Sequence, residues 1–320
     1  MIPAPARGLV PAAKHEPDAG HAHRATIRRQ APAFALRSRR APVEPPPMLR
    51  LSLVFYVFLA RMAVGTLWAL PAVMKIRPAE RHVRFQTVLA LALAGGAAAL
   101  YDSAAGTDVH PEFPHGMDAF LSWHGAMPWT LVVLGALALA VNFLYGTFRR
   151  TAARIVLVLS CLFGVLAVLG TARLGPGAGT GLVAARTATG LLGGLAMGGV
   201  NDAMILGHFY LMIKGLPLEA LARTGYWCVG VVLLRALGFG AVLLFWPGAM
   251  HVLFGREIIW TCWRIAFGFF GPLTLIWMTR DALKYRHTQA ATGILYVAIF
   301  FMLMGELAAT YLEFVTGIGV

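Results

Sequence analysis

Charge is scarce in this sequence: of 320 residues only 13% are Asp, Glu, Lys or Arg, while 58% are hydrophobic and the mean hydropathy is +0.70. So few ionic groups cannot clothe a soluble globule of this length, and that class is excluded. Cysteine is scarcer still. Cys161, Cys228 and Cys262 show no CxxC spacing, so a disulfide framework and a zinc ribbon are excluded and the three read as small apolar residues. Catalytic fingerprints are missing as well: there is no P-loop, GxSxG, HExxH or Rossmann glycine pattern, and no paired-His cluster of the haem-copper oxidase kind. Long period-two alternation is also absent, which excludes an outer-membrane barrel.

Apolar residues come instead in blocks about 20 long, the length a helix needs to cross roughly 30 Å of hydrocarbon. They run over 51–74, 85–101, 127–147, 155–171, 184–212, 226–246, 257–279 and 290–314. The expected fold is therefore an all-α membrane protein, a polytopic bundle of about eight transmembrane helices. No internal repeat stands out, although four spans followed by four leave a two-half arrangement open.

Lys and Arg mark the sides. Every second connection is basic: Lys75, Arg77, Arg81 and Arg84; Arg149, Arg150 and Arg154; Lys214 and Arg223; Arg280, Lys284 and Arg286. These are expected on the cytoplasmic side of an inner, cell membrane. The intervening connections hold little positive charge beyond Arg173 and Arg256, and face outward. An even number of spans then puts both chain ends outside. Residues 1–47 oppose that, with eight basic residues and three acidic ones. This Pro, Ala and Arg-rich tail lacks an apolar period and a signal-peptide core, and reads as disordered. Either the span count is off by one or the true start is Met48; the second is the expectation, since it restores the charge rule and leaves 48–320 as the transmembrane domain. Loop retention accounts for the remaining positive charge, so no nucleic-acid partner is implied; the expected partners are the lipid bilayer and other membrane subunits.

Ionisable residues inside spans are costly and mark candidate sites. Arg61 falls in the first block, Arg186, Asp202 and His208 in the fifth, Arg235 in the sixth, Arg264 in the seventh, Glu306 and Glu313 in the eighth. At about 1.5 Å per residue, Arg264 and Glu306 lie at matching depths, roughly 10 and 12 Å from the outer ends of their blocks. Asp202 and Arg235 match from the inner side, which predicts that pair. At about 100° per residue, Arg186, Gly190, Gly194, Met197, Asn201 and His208 share one helix face, while Asp202 points away. Gly190, Gly194 and Gly198 form a stripe at every fourth residue. Such a stripe serves either as a close helix contact or as a bed for a flat cofactor, haem b or quinone, with His208 as ligand and Asn201 beside it.

The connection from Asp102 to Gly125 is acidic and His-rich. His110, His115 and His124 are weak candidates for a metal, since their spacing matches no strong pattern. An interfacial helix over 116–124, with Trp123 among headgroups, is the expectation there. Three functions follow: a redox-linked, haem- or quinone-binding subunit of a respiratory-type complex; a transporter or channel for a small solute or ion, with Arg186, Arg264, Glu306 and Glu313 lining an outward cavity; and a non-catalytic membrane scaffold subunit.

Overall fold

The computed structural model describes residues 51–74, 80–105, 126–147, 149–174, 179–213 and 218–320. The tail at 1–47 and the candidate metal residues His110, His115 and His124 lie outside them. Among the described residues the fold is all-helical, and eight helices are long and apolar enough to cross a membrane. They are α1 (Leu51–Met74), α2 (Glu80–Ala105), α3 (Ala126–Gly146), α4 (Arg150–Ala172), α5 (Thr180–Met212), α6 (Leu218–Phe245), α7 (Ile258–Lys284) and α8 (Thr288–Thr316).

Most helices outrun the apolar blocks. Hydropathy marks the width of hydrocarbon, whereas backbone hydrogen bonding continues as far as propensity allows. Thus α2 begins at Glu80 rather than near 85, which brings Arg81, His82 and Arg84 into its first turns. Arg150 and Arg154 likewise lie on α4, and Arg280 and Lys284 on α7. The charge bands expected in loops therefore sit largely on helix ends, where long basic side chains reach water from an apolar stem.

Two helices are central. The spanning stretches of α1 and α5 are 83% and 78% buried, against 28–44% for the other six. Around them, α2, α3 and α4 pack on one flank and α6, α7 and α8 on another, with α8 also touching α5 and α1. The peripheral helices turn large apolar side chains outward, such as Phe143 and Leu237, each 69% exposed. That is the inverse of a soluble bundle, and lipid is the solvent that suits it.

Backbone contact joins the two central helices. A side chain on Gly65 would meet the Gly194 carbonyl, one on Gly194 the Arg61 carbonyl, and one on Gly198 the backbone of Gly65 and Thr66. Here the glycine stripe of α5 is an interhelical seam, because only hydrogen at Cα lets two helices come this near. Two irregularities flank α7. Val252–Arg256 is a π-helical turn after the short turn Ala249–His251, and α7 itself is interrupted by a second π-helical turn, Ala266–Phe270, between Ile258–Ile265 and Gly271–Lys284. Gly268, inside that second turn, lies against Gly305 of α8.

Candidate functional site

Ionisable side chains gather into two nodes along α5. The first lies where α1, α5, α6, α7 and α8 meet. Arg61 of α1 forms a two-pronged pair with Glu313 of α8, its Nη2 donating to Oε1 at 2.8 Å and its Nη1 lying 2.8 Å from Oε2. Arg235 of α6 clasps Glu306 of α8 in the same manner, with Nε donating to Oε1 and Nη2 to Oε2, both at 2.6 Å. Arg235 also donates to the Thr189 carbonyl, and to a Val320 oxygen at 3.2 Å. A third guanidinium, Arg264 of α7, puts Nη1 3.1 Å from Oε1 of the same Glu306. Arg186 of α5 donates from Nε to the Gly317 carbonyl at 3.0 Å and from Nη1 to the Ala172 carbonyl at 3.4 Å.

Local sequence makes room for each of these heads. Gly190 stands against the Arg61 guanidinium, Gly193 against the Arg235 and Glu306 heads, and Gly268 against Arg264. A methyl at any of the three would intrude on a charged group. Gly317 ends α8 at φ 75°, a conformation open to glycine, and so turns its carbonyl onto Arg186. All four arginines and both glutamates of this node are at most 3% exposed.

This node is unbalanced. Four guanidiniums face two carboxylate side chains and a Val320 oxygen, and Arg264 is the least satisfied: Nη1 has only the shared Glu306 oxygen, and Nε and Nη2 are buried without an acceptor among the described residues. Its neighbours are the face of the Phe269 ring, 4.2 Å from Cζ to the centroid, and an oxygen of Glu306 that already accepts from Arg235. A buried guanidinium without acceptors is unfavourable by several kcal/mol, on the order of the cost of any unpaired buried charge.

The second node lies farther along α5. His82 Nε2 of α2 and Asp202 Oδ1 are 2.8 Å apart, Gln86 Nε2 donates to the same Oδ1 at 2.9 Å, and Asn201 Nδ2 donates to Gln86 Oε1 at 3.3 Å. His82 and Asp202 are fully buried, and Phe209 presses edge-on to the imidazole. Two atoms of this network, His82 Nδ1 and Asp202 Oδ2, have no hydrogen-bond partner among the described residues. Gly193 and Asn201, which mark the two nodes on α5, are eight residues and hence about 12 Å apart along the axis.

The arrangement differs from the sequence expectations at several points. Arg264 and Glu306, matched in depth, do meet. Asp202 and Arg235, matched likewise, do not: Asp202 turns to α2 and Arg235 to α8, since equal depth does not make two faces point at each other. His208 stands apart from the Gly face as well. It is exposed near the end of α5, with Nδ1 3.1 Å from the Tyr296 hydroxyl. Gly190, Gly194 and Met197 are buried, and α1 occupies the side of Gly194 on which a flat ring would lie. Asn201 belongs to the His82 network. Arg186, Arg264, Glu306 and Glu313 are enclosed and do not line an outward opening. His82 precedes the apolar block at 85–101 and so reads from the sequence as a loop residue, and Gln86 sits at the block's edge; their four-residue spacing, on one face of a helix, is the signal that joins them.

Among the described residues no cluster of three or more His, Cys, Asp or Glu is placed to hold a metal ion. No protein-family model, curated protein or solved structure matches this chain.

Proposed function

We propose that the chain is a membrane transport protein or channel for a small anion, with the arginine node as its binding centre. The observation that carries this reading is Arg264, fully buried beside other guanidiniums, its one acid partner among the described residues being a Glu306 oxygen shared with Arg235, and its Nε and Nη2 without an acceptor there. An anion beside it would supply those acceptors and offset the positive charge, as intramembrane charges require. Two further features support the reading. The π-helical turn directly after Ile265 is a backbone irregularity of the kind often found at functional sites. The His82–Asp202 network offers a second polar station toward the other end of α5.

A scaffold role is favoured by one specific observation, the two-pronged pairs Arg61–Glu313 and Arg235–Glu306, which tie α8 to α1 and α6. Arg264 separates the two readings. The haem b or quinone reading has less support, since His208 is engaged with Tyr296 outside the Gly face.

Reconstitution into vesicles tests the proposal. Purified chain should accelerate uptake of at least one of chloride, nitrate, formate or acetate, and Arg264→Gln should slow it about tenfold or more while eluting as the same folded species. Flux of none of these anions, or flux indifferent to Arg264→Gln, refutes it and leaves the scaffold. A reduced-minus-oxidised visible spectrum of the same preparation should be flat, and haem bands there would restore the redox reading.

A further inference from the structure

On the outside of the bundle, α6 and α7 leave a small cleft of about 70 Å³ between them. Its walls include Leu221, Gly225, Val229, Ile276 and Leu283, and are almost wholly apolar. Gly225 keeps it open. A Cβ there would touch only Ile276 Cγ2, at 3.7 Å, so the space beside it is free for a guest rather than filled by a neighbour.

Among the described residues, one charged group borders this apolar cleft. Arg280 holds its guanidinium 5.5 Å from the Tyr226 ring centroid and 4.9 Å from that of Trp277. Among the described residues no carboxylate lies within ion-pair distance of it; the nearby Asp281 is taken by Lys284 at 2.7 Å. Aromatic faces orient the cation without neutralising it. Arg280 is four residues, about 6 Å, from the end of α7, the depth of a headgroup region, and the cleft continues past Trp277 and Ile276 toward the apolar middle of the span. Arg286 adds positive charge at the same end.

We infer that this cleft is a binding site for one anionic phospholipid, its phosphate on Arg280 and an acyl chain along Leu221, Gly225, Val229 and Ile276. A zwitterionic lipid can fill the groove with its tail, but it brings its own cation and gains less from Arg280. Basic pockets between spanning helices on the cytoplasmic side select anionic headgroups for this reason.

The test uses the full chain, purified in a neutral detergent and stripped of lipid. Native mass spectrometry with added phosphatidylglycerol or phosphatidylcholine should show one retained phosphatidylglycerol, held several-fold more tightly than phosphatidylcholine. Arg280→Gln should weaken phosphatidylglycerol by roughly fivefold and leave phosphatidylcholine unchanged. Gly225→Leu, which extends a side chain into the cleft, should displace both lipids while the thermal unfolding of the lipid-free chain stays the same or rises. Equal retention of the two lipids by the parent chain, or a preference that survives Arg280→Gln, overturns the assignment. So does glycerol phosphate displacing the lipid, since the site would then take a soluble phosphate. These outcomes do not depend on anion flux, so failure here is distinct from failure of the transport reading.

Discussion

Glu306 is the residue on which the buried charges depend most, because one carboxylate serves two guanidiniums on two other helices. Replacing it by Gln keeps the shape and removes the charge, leaving Arg235 and Arg264 facing each other in an enclosed site. Breaking one partner of a buried pair typically costs about 3–5 kcal/mol. Glu306→Gln should therefore lower the unfolding temperature in detergent sharply, whereas His208→Ala, at an exposed position with one hydrogen bond to Tyr296, should stay within about 0.5–1.5 kcal/mol of the parent. Comparable losses from the two substitutions would show that the Glu306 node does not carry the bundle's stability. The ionisable residues themselves were legible, since charge inside an apolar block stands out whatever the fold. Their pairing was less so. Depth follows from residue counting, but which faces meet depends on how eight helices are arranged around α1 and α5, and a sequence carries no direct record of that. Asp202 is the clearest instance, equal in depth to Arg235 and yet turned to His82.

At the scale of elements, the eight spans were readable and their ends were not. Apolar blocks report the hydrocarbon, and the amphipathic turns beyond them, including the one that carries His82, have no hydropathic mark. The glycine stripe of α5 was visible as a pattern with two uses. What the pattern lacked was its partner, and that partner is Gly65, a lone glycine in α1 with no stripe of its own. The seam predicts an uneven response to substitution. Gly194→Ala and Gly198→Ala place a methyl into the backbone of α1, and overpacking of this kind costs about 1–3 kcal/mol or more. Gly230→Ala, in the middle of α6 where an added Cβ would meet no atom of a neighbouring helix among the described residues, should instead be neutral or gain about 0.4–1 kcal/mol through reduced freedom of the unfolded chain. Thermal unfolding of the three single variants checks this. Equal behaviour of Gly194→Ala and Gly230→Ala would mean that α1 and α5 are not in backbone contact.

For the whole molecule, the strongest asymmetry is the distribution of basic residues between its two ends. Successive spans run in alternate directions, so the start of α2, the start of α4, the start of α6 and the end of α7 belong to one side. Arg81 and Arg84, Arg150 and Arg154, Arg223, Arg280 and Lys284 are therefore collected there, against Arg173 and Arg256 at the other. Lys and Arg are retained in the cytoplasm during insertion, so we propose that this basic side is the cytoplasmic one. The span suited to test it is α5: its 33 residues measure about 50 Å, more than a hydrocarbon core of about 30 Å, so in a bilayer its two ends would reach water on opposite sides even with tilt. Gly179 precedes it and Glu219 follows it in the first turn of α6, and both are exposed. In a chain with Cys161, Cys228 and Cys262 replaced by Ala, Gly179→Cys should react with a membrane-impermeant maleimide added to intact cells. Glu219→Cys should react only after the cells are opened. Labelling in the reverse order would invert the bundle and place the Arg280 cleft in the outer leaflet. Labelling of both from outside would mean that α5 does not cross at all, and the eight-span architecture would fail with it.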